Sequence, residues 1–342
     1  MHLRWKPPRP QDSNLPESPL TELDLIERTP NMTPDDRNPT LRNAIRRTTF
    51  IEPRRLSSRL GVDLILACET FQHTGSFKFR AAYNVSVKVP HGHLITASSG
   101  NFGQALACAC QQLGKSCTVV MPGTSARVKV EAVREFGGTV DLIDVRAKSR
   151  NDRVQELARL DPSAYVASAY DDPLVIEGNA SLGGELAASD QQIDLIVVPV
   201  GGGGLASGII TGVRATGRTI PVFGAEPILA NDAARSLRAG KIIANETEPQ
   251  TIADGVRTLS VGRCNWSVLQ DGLARIVEVS EEHICEAVRL LFALANVKSE
   301  PTGALSLAAV LAAPELFREG TVCCVVSGGN VDPAVFRDIL DG

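Results

Sequence analysis

The 342-residue chain is poor in aromatic residues and carries little net charge, and both features limit what it can bind. Phe, Trp and Tyr make up 4% of the sequence, too few for the base-stacking surfaces of a nucleic-acid binder. The formal charge of -4 gives no basic surface for nucleic acid or an anionic membrane. No apolar run reaches the length of about 18 residues that a membrane span needs. Small molecules are therefore the expected partners.

The cysteine spacing also gives no sign of a zinc site or a disulfide framework. The eight cysteines include no C-x-x-C pair, and the five histidines show no ligand spacing with them, so we expect no zinc site. A chain of this length buries a core of its own, and its cysteines lie mostly in apolar runs, which predicts buried free thiols. The charged, proline-containing start from Met1 to Pro10 does not resemble a signal peptide, which favours the cytoplasm.

Short β-branched runs alternate with alanine-rich amphipathic segments over most of the chain. The runs include the predicted strands Leu195 to Val200 and Thr321 to Val326, and the segments include a predicted helix from Gly183 to Ala188. This alternation predicts an α/β fold with two parallel or mixed sheets flanked by helices. Residues 1–39 are rich in proline and predict an extension. The segment 92–170 predicts a small domain carrying a substrate loop, and residues 40–91 together with 171–342 predict a large cofactor-binding domain.

A glycine run closes the predicted strand Leu195 to Val200 and opens a helix; it consists of Gly201, Gly202, Gly203 and Gly204. Glycine backbones let several N–H groups converge on an anion, and the start of the helix adds partial positive charge. The segment has neither the lysine of a P-loop nor the G-x-G-x-x-G spacing of a dinucleotide site. It therefore predicts a monophosphate site, with a tight packing turn as the alternative.

Lys78 stands between two phenylalanines at the predicted start of a helix, in the segment T-G-S-F-K-F-R. An amine attacks a carbonyl only when it is deprotonated, so a nucleophilic lysine needs a lowered pKa. Burial beside Phe77, with Arg80 nearby, is expected to lower it. An exposed helical lysine is the alternative when this segment is taken alone.

Together these motifs resemble those of the fold type II pyridoxal-phosphate enzymes, especially serine and threonine dehydratases and serine racemase. The resemblance extends from about Thr40 to the end of the chain, with several motifs in the family's order. It implies a tryptophan synthase β-like fold, pyridoxal 5′-phosphate held as a Schiff base on Lys78, and Phe77 packed on its ring. It also implies that the four glycines hold the phosphate and that the protein is a homodimer.

The segment S-S-G-N-F-G-Q follows a predicted strand and precedes an alanine-rich helix. A helix start suits an anion, and a Ser or Asn cap uses the same N–H groups. The resemblance implies that this loop binds the substrate carboxylate through Ser98, Ser99, Gly100 and Asn101, with Asn101 also near the 3′-oxygen of the cofactor. Phe102 stands where these relatives usually have histidine, so we expect an altered substrate preference.

Segments near the C-terminus complete the predicted pocket. The resemblance places Ser327, at the end of the last apolar strand, against the pyridine nitrogen. A hydroxyl need not keep that nitrogen protonated, so the ring withdraws electrons less strongly, which favours elimination over transamination. The resemblance also places the segment from Asp254 to Arg257 beside the pocket, and Glu300 near the ring nitrogen or the hinge of the site.

A cation site is predicted in the segment E-P-I-L-A-N-D. The resemblance maps Glu226, the Ala230 carbonyl and Asp232 onto the divalent-metal ligands of serine racemase and related dehydratases. Carboxylate and carbonyl oxygens suit Mg²⁺ or Ca²⁺. A strand end followed by a solvated acidic helix cap is the alternative.

The combined motifs predict elimination of the β-hydroxyl from an amino acid such as threonine or serine, giving a 2-oxo acid and ammonia. In the implied mechanism Lys78 takes the Cα proton. Ser99 matches the serine that serves the opposite face of Cα in serine racemase, so serine or aspartate racemisation is an alternative, as is 3-hydroxyaspartate ammonia-lyase activity. β-Replacement is a further alternative. A catalytically silent protein is disfavoured because lysine, serine loop and glycine run are all intact.

Overall fold

The alternation of apolar runs with amphipathic segments folds into two sheets covered by helices. The computed structural model describes residues 39–342 except Ser99 and Ala126. Over these residues the predicted α/β class with parallel and mixed sheets is confirmed. The proline-rich segment 1–38 lies outside the described residues.

The larger sheet consists of β1 (Thr49–Ile51), β2 (Asp63–Cys68), β7 (Leu195–Pro199), β8 (Val222–Pro227), β9 (Arg275–Val279) and β10 (Thr321–Val326). Their order across the sheet is β1-β2-β10-β7-β8-β9. The edge strand β1 is antiparallel to β2, and the other pairs are parallel. Every residue of β7 is buried, as expected for a strand with helices on both faces.

The smaller sheet consists of β3 (His93–Ala97), β4 (Ser116–Pro122), β5 (Thr139–Ile143) and β6 (Tyr165–Val166). Its order is β5-β4-β3-β6, and all its pairs are parallel. This sheet falls inside the segment 92–170, and the larger sheet falls outside it. The division of the chain into two domains at these boundaries stays a prediction.

The covering helices are α1 (Pro39–Ala44), α2 (Arg54–Leu60), α3 (Lys78–Lys88), α4 (Asn101–Gln112), α5 (Arg127–Glu135), α6 (Arg150–Leu160), α7 (Pro173–Ala188), α8 (Gly204–Ala215), α9 (Asp232–Ala239), α10 (Arg263–Gly272), α11 (Glu281–Ala295), α12 (Leu305–Ala312) and α13 (Pro333–Asp341). Short 3₁₀ turns occupy Ile228–Ala230, Asp254–Val256, Thr302–Ala304 and Pro314–Phe317.

Within the described part of the chain, no helix is long and apolar enough to cross a membrane. The eight cysteines are free thiols, and six of them are buried, as predicted.

Three neighbouring strands of the larger sheet bring the predicted motifs together. The loop after β2 leads to Lys78, the loop after β10 starts with Ser327, and the glycine run follows β7. Because parallel strands end at the same edge of a sheet, these three segments converge there. Two backbone contacts join the first two segments directly: the Phe77 N–H donates to the Ser327 carbonyl at 3.0 Å, and Ser76 forms an isolated antiparallel bridge with Gly328.

Candidate active site

Lys78 is the first residue of α3, and its amine is directed toward the segment that follows β6. Its Nζ donates a hydrogen bond to the Ala169 carbonyl at 2.7 Å. The same nitrogen lies 5.1 Å from the ring centre of Phe77 and 5.7 Å from that of Phe102. Burial lowers the pKa of Lys78 to about 8, although the charge of Glu300 opposes this shift. The amine therefore becomes deprotonated much closer to neutral pH than a surface lysine does.

Arg80 does not contribute to this shift, contrary to the expectation from the sequence. Its guanidinium is completely buried and pairs with Glu69 at 2.8 Å and Glu185 at 2.8 Å. Burial alone would lower the pKa of Arg80, but the two carboxylates outweigh it and raise the pKa. The positive charge of Arg80 is thus neutralised within its own cluster, and burial is what changes Lys78.

The glycine run forms a tight loop between β7 and α8. Gly203 has a φ of 93°, which a side chain would strain. A β-carbon on Gly202 would lie 2.2 Å from the ring of Tyr170. The backbone N–H groups of Gly201, Gly202 and Gly203 have no backbone acceptor among the described residues. Free N–H groups at the start of a helix form a cradle for an anion.

Two residues that sequence reasoning missed fix this loop in place. Asn265 donates from its side-chain amide to the Gly202 carbonyl at 2.6 Å and to the Tyr170 carbonyl at 3.0 Å. Tyr170 follows Ala169, the acceptor for the Lys78 amine, so the lysine and the glycine loop are joined through one short segment. No local pattern around Asn265 could have indicated this role, since its partners lie 63 and 95 positions away.

The serine loop connects β3 to α4. Ser98 is buried, and its Oγ accepts a hydrogen bond from the Gly103 N–H in the first turn of α4 at 3.1 Å, whereas the N-cap residue is Gly100. Ser99 lies outside the described residues. Gly100 is exposed and precedes Asn101, the first residue of α4. The side chain of Asn101 donates to Glu300 Oε1 at 2.8 Å, which links this loop to the larger sheet.

Glu300 and Asn330 both form hydrogen bonds with the side chain of Asn101. Asn330 donates to Asn101 Oδ1 at 2.8 Å and to the Thr74 carbonyl at 2.7 Å. Burial first, and the charge of Asp254 second, raise the pKa of Glu300 to about 8, although the hydrogen bond from Asn101 opposes the shift. Ser327, on the same stretch of chain as Asn330, is 1% exposed.

The predicted cation ligands meet beside the start of α9. Glu226 and Asp232 are both completely buried, which rules out the solvated helix cap. Glu226 accepts from the N–H groups of Ala233 at 3.0 Å and Ala234 at 2.9 Å. Asp232 Oδ1 accepts from Asn245 at 2.9 Å, whereas Oδ2 is buried without a partner in the described structure. Ala230 closes the intervening 3₁₀ turn. The described residues contain no group of three or more His, Cys, Asp or Glu arranged for a metal.

Burial, together with the negative charge of its neighbour Asp232, raises the pKa of Glu226 well above its usual value. Burial also raises the pKa of Asp232 to about 6. A cation would relieve the repulsion between the two carboxylates and meet the Asp232 oxygen that lacks a partner in the described structure.

A partly desolvated amine next to a phosphate-sized anion cradle, at the carboxyl ends of parallel strands, defines an enzyme that carries a phosphorylated carbonyl compound on lysine. The chain belongs to the pyridoxal-phosphate dependent enzymes: the family of that description matches residues 41–328. This confirms the fold type II resemblance and the cofactor.

Three similar proteins illustrate the range of names among the relatives. The chain is 34% identical over 300 residues to an L-threo-3-hydroxyaspartate ammonia-lyase from Pseudomonas sp., covering 86% of this chain and 93% of that protein. It superposes on the T.th. threonine deaminase with a TM-score of 0.82 and 40% identity, covering 86% and 96% of the two chains. Maize serine racemase superposes with a TM-score of 0.84 and 30% identity, covering 89% and 94%.

The polar groups that lack protein partners fit pyridoxal phosphate. The free N–H groups of the glycine loop suit its phosphate, and the lowered pKa of Lys78 suits a bond to its carbonyl carbon. Ser76 Oγ is buried without a partner, two residues before Lys78 and bridged to Gly328. A buried hydroxyl without a partner is unfavourable unless something else meets it, so these groups point to a polar ligand beside Lys78.

Proposed function

We propose that the chain uses pyridoxal 5′-phosphate to eliminate the β-hydroxyl of a β-hydroxy-amino acid, giving a 2-oxo acid and ammonia. The observation that carries the proposal is the Lys78 amine, which has a lowered pKa and is hydrogen-bonded to the segment packed on the glycine loop. Two of the similar proteins, the 3-hydroxyaspartate ammonia-lyase and the threonine deaminase, are named for the loss of ammonia.

Residues from four segments would hold the cofactor. Lys78 would bond its carbonyl carbon, Phe77 would pack on its ring, and Ser327 would face its ring nitrogen. Asn101 would donate to the 3′-oxygen. The phosphate would accept from the backbone of Gly201, Gly202, Gly203 and Gly204. When bound, pyridoxal phosphate withdraws electrons from the substrate Cα and makes the Cα proton acidic.

The remaining steps belong to the protein. The start of α4 would bind the substrate carboxylate through Ser98, Ser99, Gly100 and Asn101, because a helix N-terminus attracts anions. The substrate amino group would first displace Lys78 from the cofactor carbonyl carbon, which leaves Nζ as a free amine. Lys78 Nζ would then accept the Cα proton, since an amine with a pKa of about 8 exchanges protons readily near neutral pH. The β-carbon–oxygen bond would then break, and the hydroxyl would leave as water with the proton that Lys78 had removed from Cα. Water finally replaces the amino group, which departs as ammonia.

Racemisation is the second candidate, and the similarity to maize serine racemase favours it. Both reactions begin with loss of the Cα proton, and they differ in whether the proton returns to the opposite face or the β-hydroxyl leaves. Incubating the loaded enzyme with L-serine and following D-serine and pyruvate together separates them. Pyruvate in excess of D-serine supports elimination. D-serine without pyruvate would contradict elimination and support racemisation as the function.

Gly202→Ala should weaken cofactor binding. The added methyl group would lie 2.2 Å from the ring of Tyr170, so the loop must move and its N–H groups lose their alignment. Overpacking of this kind typically costs about 1–3 kcal/mol, which corresponds to roughly 5–150-fold in the dissociation constant if all of it falls on the bound state. Fluorescence titration of the protein with pyridoxal phosphate measures the change.

The matched control for this substitution is Gly92→Ala, since a β-carbon at Gly92 meets no atom within 4 Å. Gly92→Ala should bind the cofactor like the wild type. Equal affinities of the Gly202 and Gly92 variants for pyridoxal phosphate would contradict the proposal that the glycine loop binds the cofactor.

We propose further that Glu226, the Ala230 carbonyl and Asp232 bind Mg²⁺ or Ca²⁺. The support is the pair of buried carboxylates and the Asp232 Oδ2 atom, which has no partner among the described residues. Such an ion would neutralise the pair and stabilise the fold around α9. It takes no part in breaking the substrate bonds.

Calcium should therefore stabilise the wild-type protein against thermal unfolding. A ligand that binds only the folded state adds about 2.7 kcal/mol at a hundredfold excess over its dissociation constant. Asp232→Asn, which removes one charge at nearly constant shape, should abolish the response, with sodium chloride at equal ionic strength as the control. An unchanged melting temperature with calcium, or the same rise in both proteins, would argue against the site.

We also propose that the protein is a cytoplasmic homodimer that acts on a small amino acid. The family resemblance supports the dimer, and the modest net charge supports a small-molecule partner rather than nucleic acid.

A further inference from the structure

The side chain of Asn101 is held in one of its two amide orientations. Its Nδ2 faces the acceptor Glu300 Oε1 at 2.8 Å, and its Oδ1 faces the donor Asn330 Nδ2 at 2.8 Å. A reversed amide would set oxygen against oxygen at Glu300 and nitrogen against nitrogen at Asn330. The contact of Asn330 with the Thr74 carbonyl at 2.7 Å fixes Asn330 in turn.

This orientation leaves one amide proton available. The nitrogen of Asn carries two protons, and Glu300 uses one of them. The second has no acceptor among the described residues. Asn101 Nδ2 lies 3.3 Å from the position that a β-carbon on Gly328 would take, and Ser76 Cβ lies 3.0 Å from the same position. The free proton is therefore close to the segment that carries Lys78.

We propose that Glu300 is a positioning residue, which acts through Asn101 so that an amide N–H rather than a carbonyl faces the ring 3′-oxygen of pyridoxal phosphate. This inference rests on the proposed cofactor site. An N–H donor stabilises a negative oxygen, whereas a carbonyl would repel it. Glu300 thus acts at the oxygen edge of the ring, whereas the sequence analysis placed it near the ring nitrogen or the hinge of the site.

The surroundings of Glu300 explain why an acid is required there. The groups that point at its carboxyl are donors, the Asn101 side chain and the Asn330 backbone N–H. A Gln side chain would bring its own NH₂ group among these donors.

A double-mutant cycle on cofactor binding tests the inference. Glu300→Ala and Asn101→Ala should each weaken binding of pyridoxal phosphate about tenfold or more, and each should move the visible absorption band of the bound cofactor. If Glu300 acts through Asn101, the double variant binds no more weakly than Asn101→Ala alone. Glu319→Gln, at an exposed position, is the control and should match the wild type.

The outcomes separate this inference from the proposed function. Losses that add up in the double variant would overturn the coupling of Glu300 to Asn101. Wild-type affinity and an unmoved band in Glu300→Ala would overturn the positioning role. If Glu300→Ala fails to fold, Glu300→Gln keeps the shape and should still move the band, and an unmoved band there would overturn the role. Failure of the wild type to bind pyridoxal phosphate would instead contradict the proposed function.

Discussion

Lys78→Ala should release ammonia at least about 10³-fold more slowly than the wild type and should hold no cofactor covalently. Both roles assigned to this residue need its amine: the bond to the cofactor carbonyl carbon and the removal of the Cα proton. The lowered pKa of about 8 and the short distance to the Ala169 carbonyl single out its Nζ for this chemistry. Borohydride reduction of the loaded wild type, followed by peptide mapping, should locate the cofactor on Lys78.

Lys88→Ala is the matched control for this experiment. Lys88 lies at the other end of α3, is 38% exposed and pairs with Glu177, so its loss should leave activity and covalent cofactor unchanged. If Lys78→Ala still releases ammonia at the rate of Lys88→Ala, a different residue performs the chemistry.

Arg80→Met should lower the free energy of unfolding by about 3–5 kcal/mol. Arg80 is completely buried, and removing its guanidinium leaves Glu69 and Glu185 buried without their common partner. Arg80 also donates to Thr48 at 2.9 Å and Ser181 at 3.0 Å, so a polar cluster from four segments is lost at once. Urea denaturation followed by fluorescence and circular dichroism measures the change.

Arg153→Met provides the comparison, because Arg153 pairs with Asp141 at 2.8 Å near the surface, where such pairs contribute about 0–1 kcal/mol. Adding Glu69→Gln and Glu185→Gln to Arg80→Met should recover part of the loss by removing the unpaired charges. If Arg80→Met unfolds at the same urea concentration as Arg153→Met, the buried cluster does not stabilise the fold.

The strands could be predicted because buried parallel strands are short apolar runs. The predicted strand Leu195 to Val200 is β7 plus one residue, and Thr321 to Val326 is β10. The predicted helix at Gly183 begins instead at Pro173, where Asp172 caps it. Helix α7 is buried over most of its surface and has no polar stripe, so its first half shows no helical periodicity.

The elements missed by the sequence analysis have a common cause. The edge strand β1 has three residues, and helices α9 and α10 contain many polar residues, so none of them stands out as an apolar pattern. Their places depend on contacts with distant segments. Asp171, for example, accepts from the backbone of Arg263 and Cys264 at the start of α10, more than 90 positions away.

The candidate site also contains residues that the sequence indicates and residues that it does not. Lys78 and the glycine run could be proposed as site residues because each follows a recognisable strand and has an unusual local composition, whereas Ser327 was proposed from the family resemblance. The partners that orient them could not, because hydrogen bonds such as Asn265 to Gly202 or Glu300 to Asn101 join residues far apart in the chain. The role expected for Arg80 was wrong for this reason, since Glu185 lies 105 positions away.

The most direct test of β-elimination is a product assay on the purified protein loaded with pyridoxal phosphate. L-threonine, L- and D-serine, both 3-hydroxyaspartate diastereomers and phenylserine are supplied separately, and ammonia and 2-oxo acid are followed together. The account predicts equal amounts of both products from at least one of these amino acids. If the cofactor is bound at Lys78 and none of them yields ammonia, the elimination proposal is wrong.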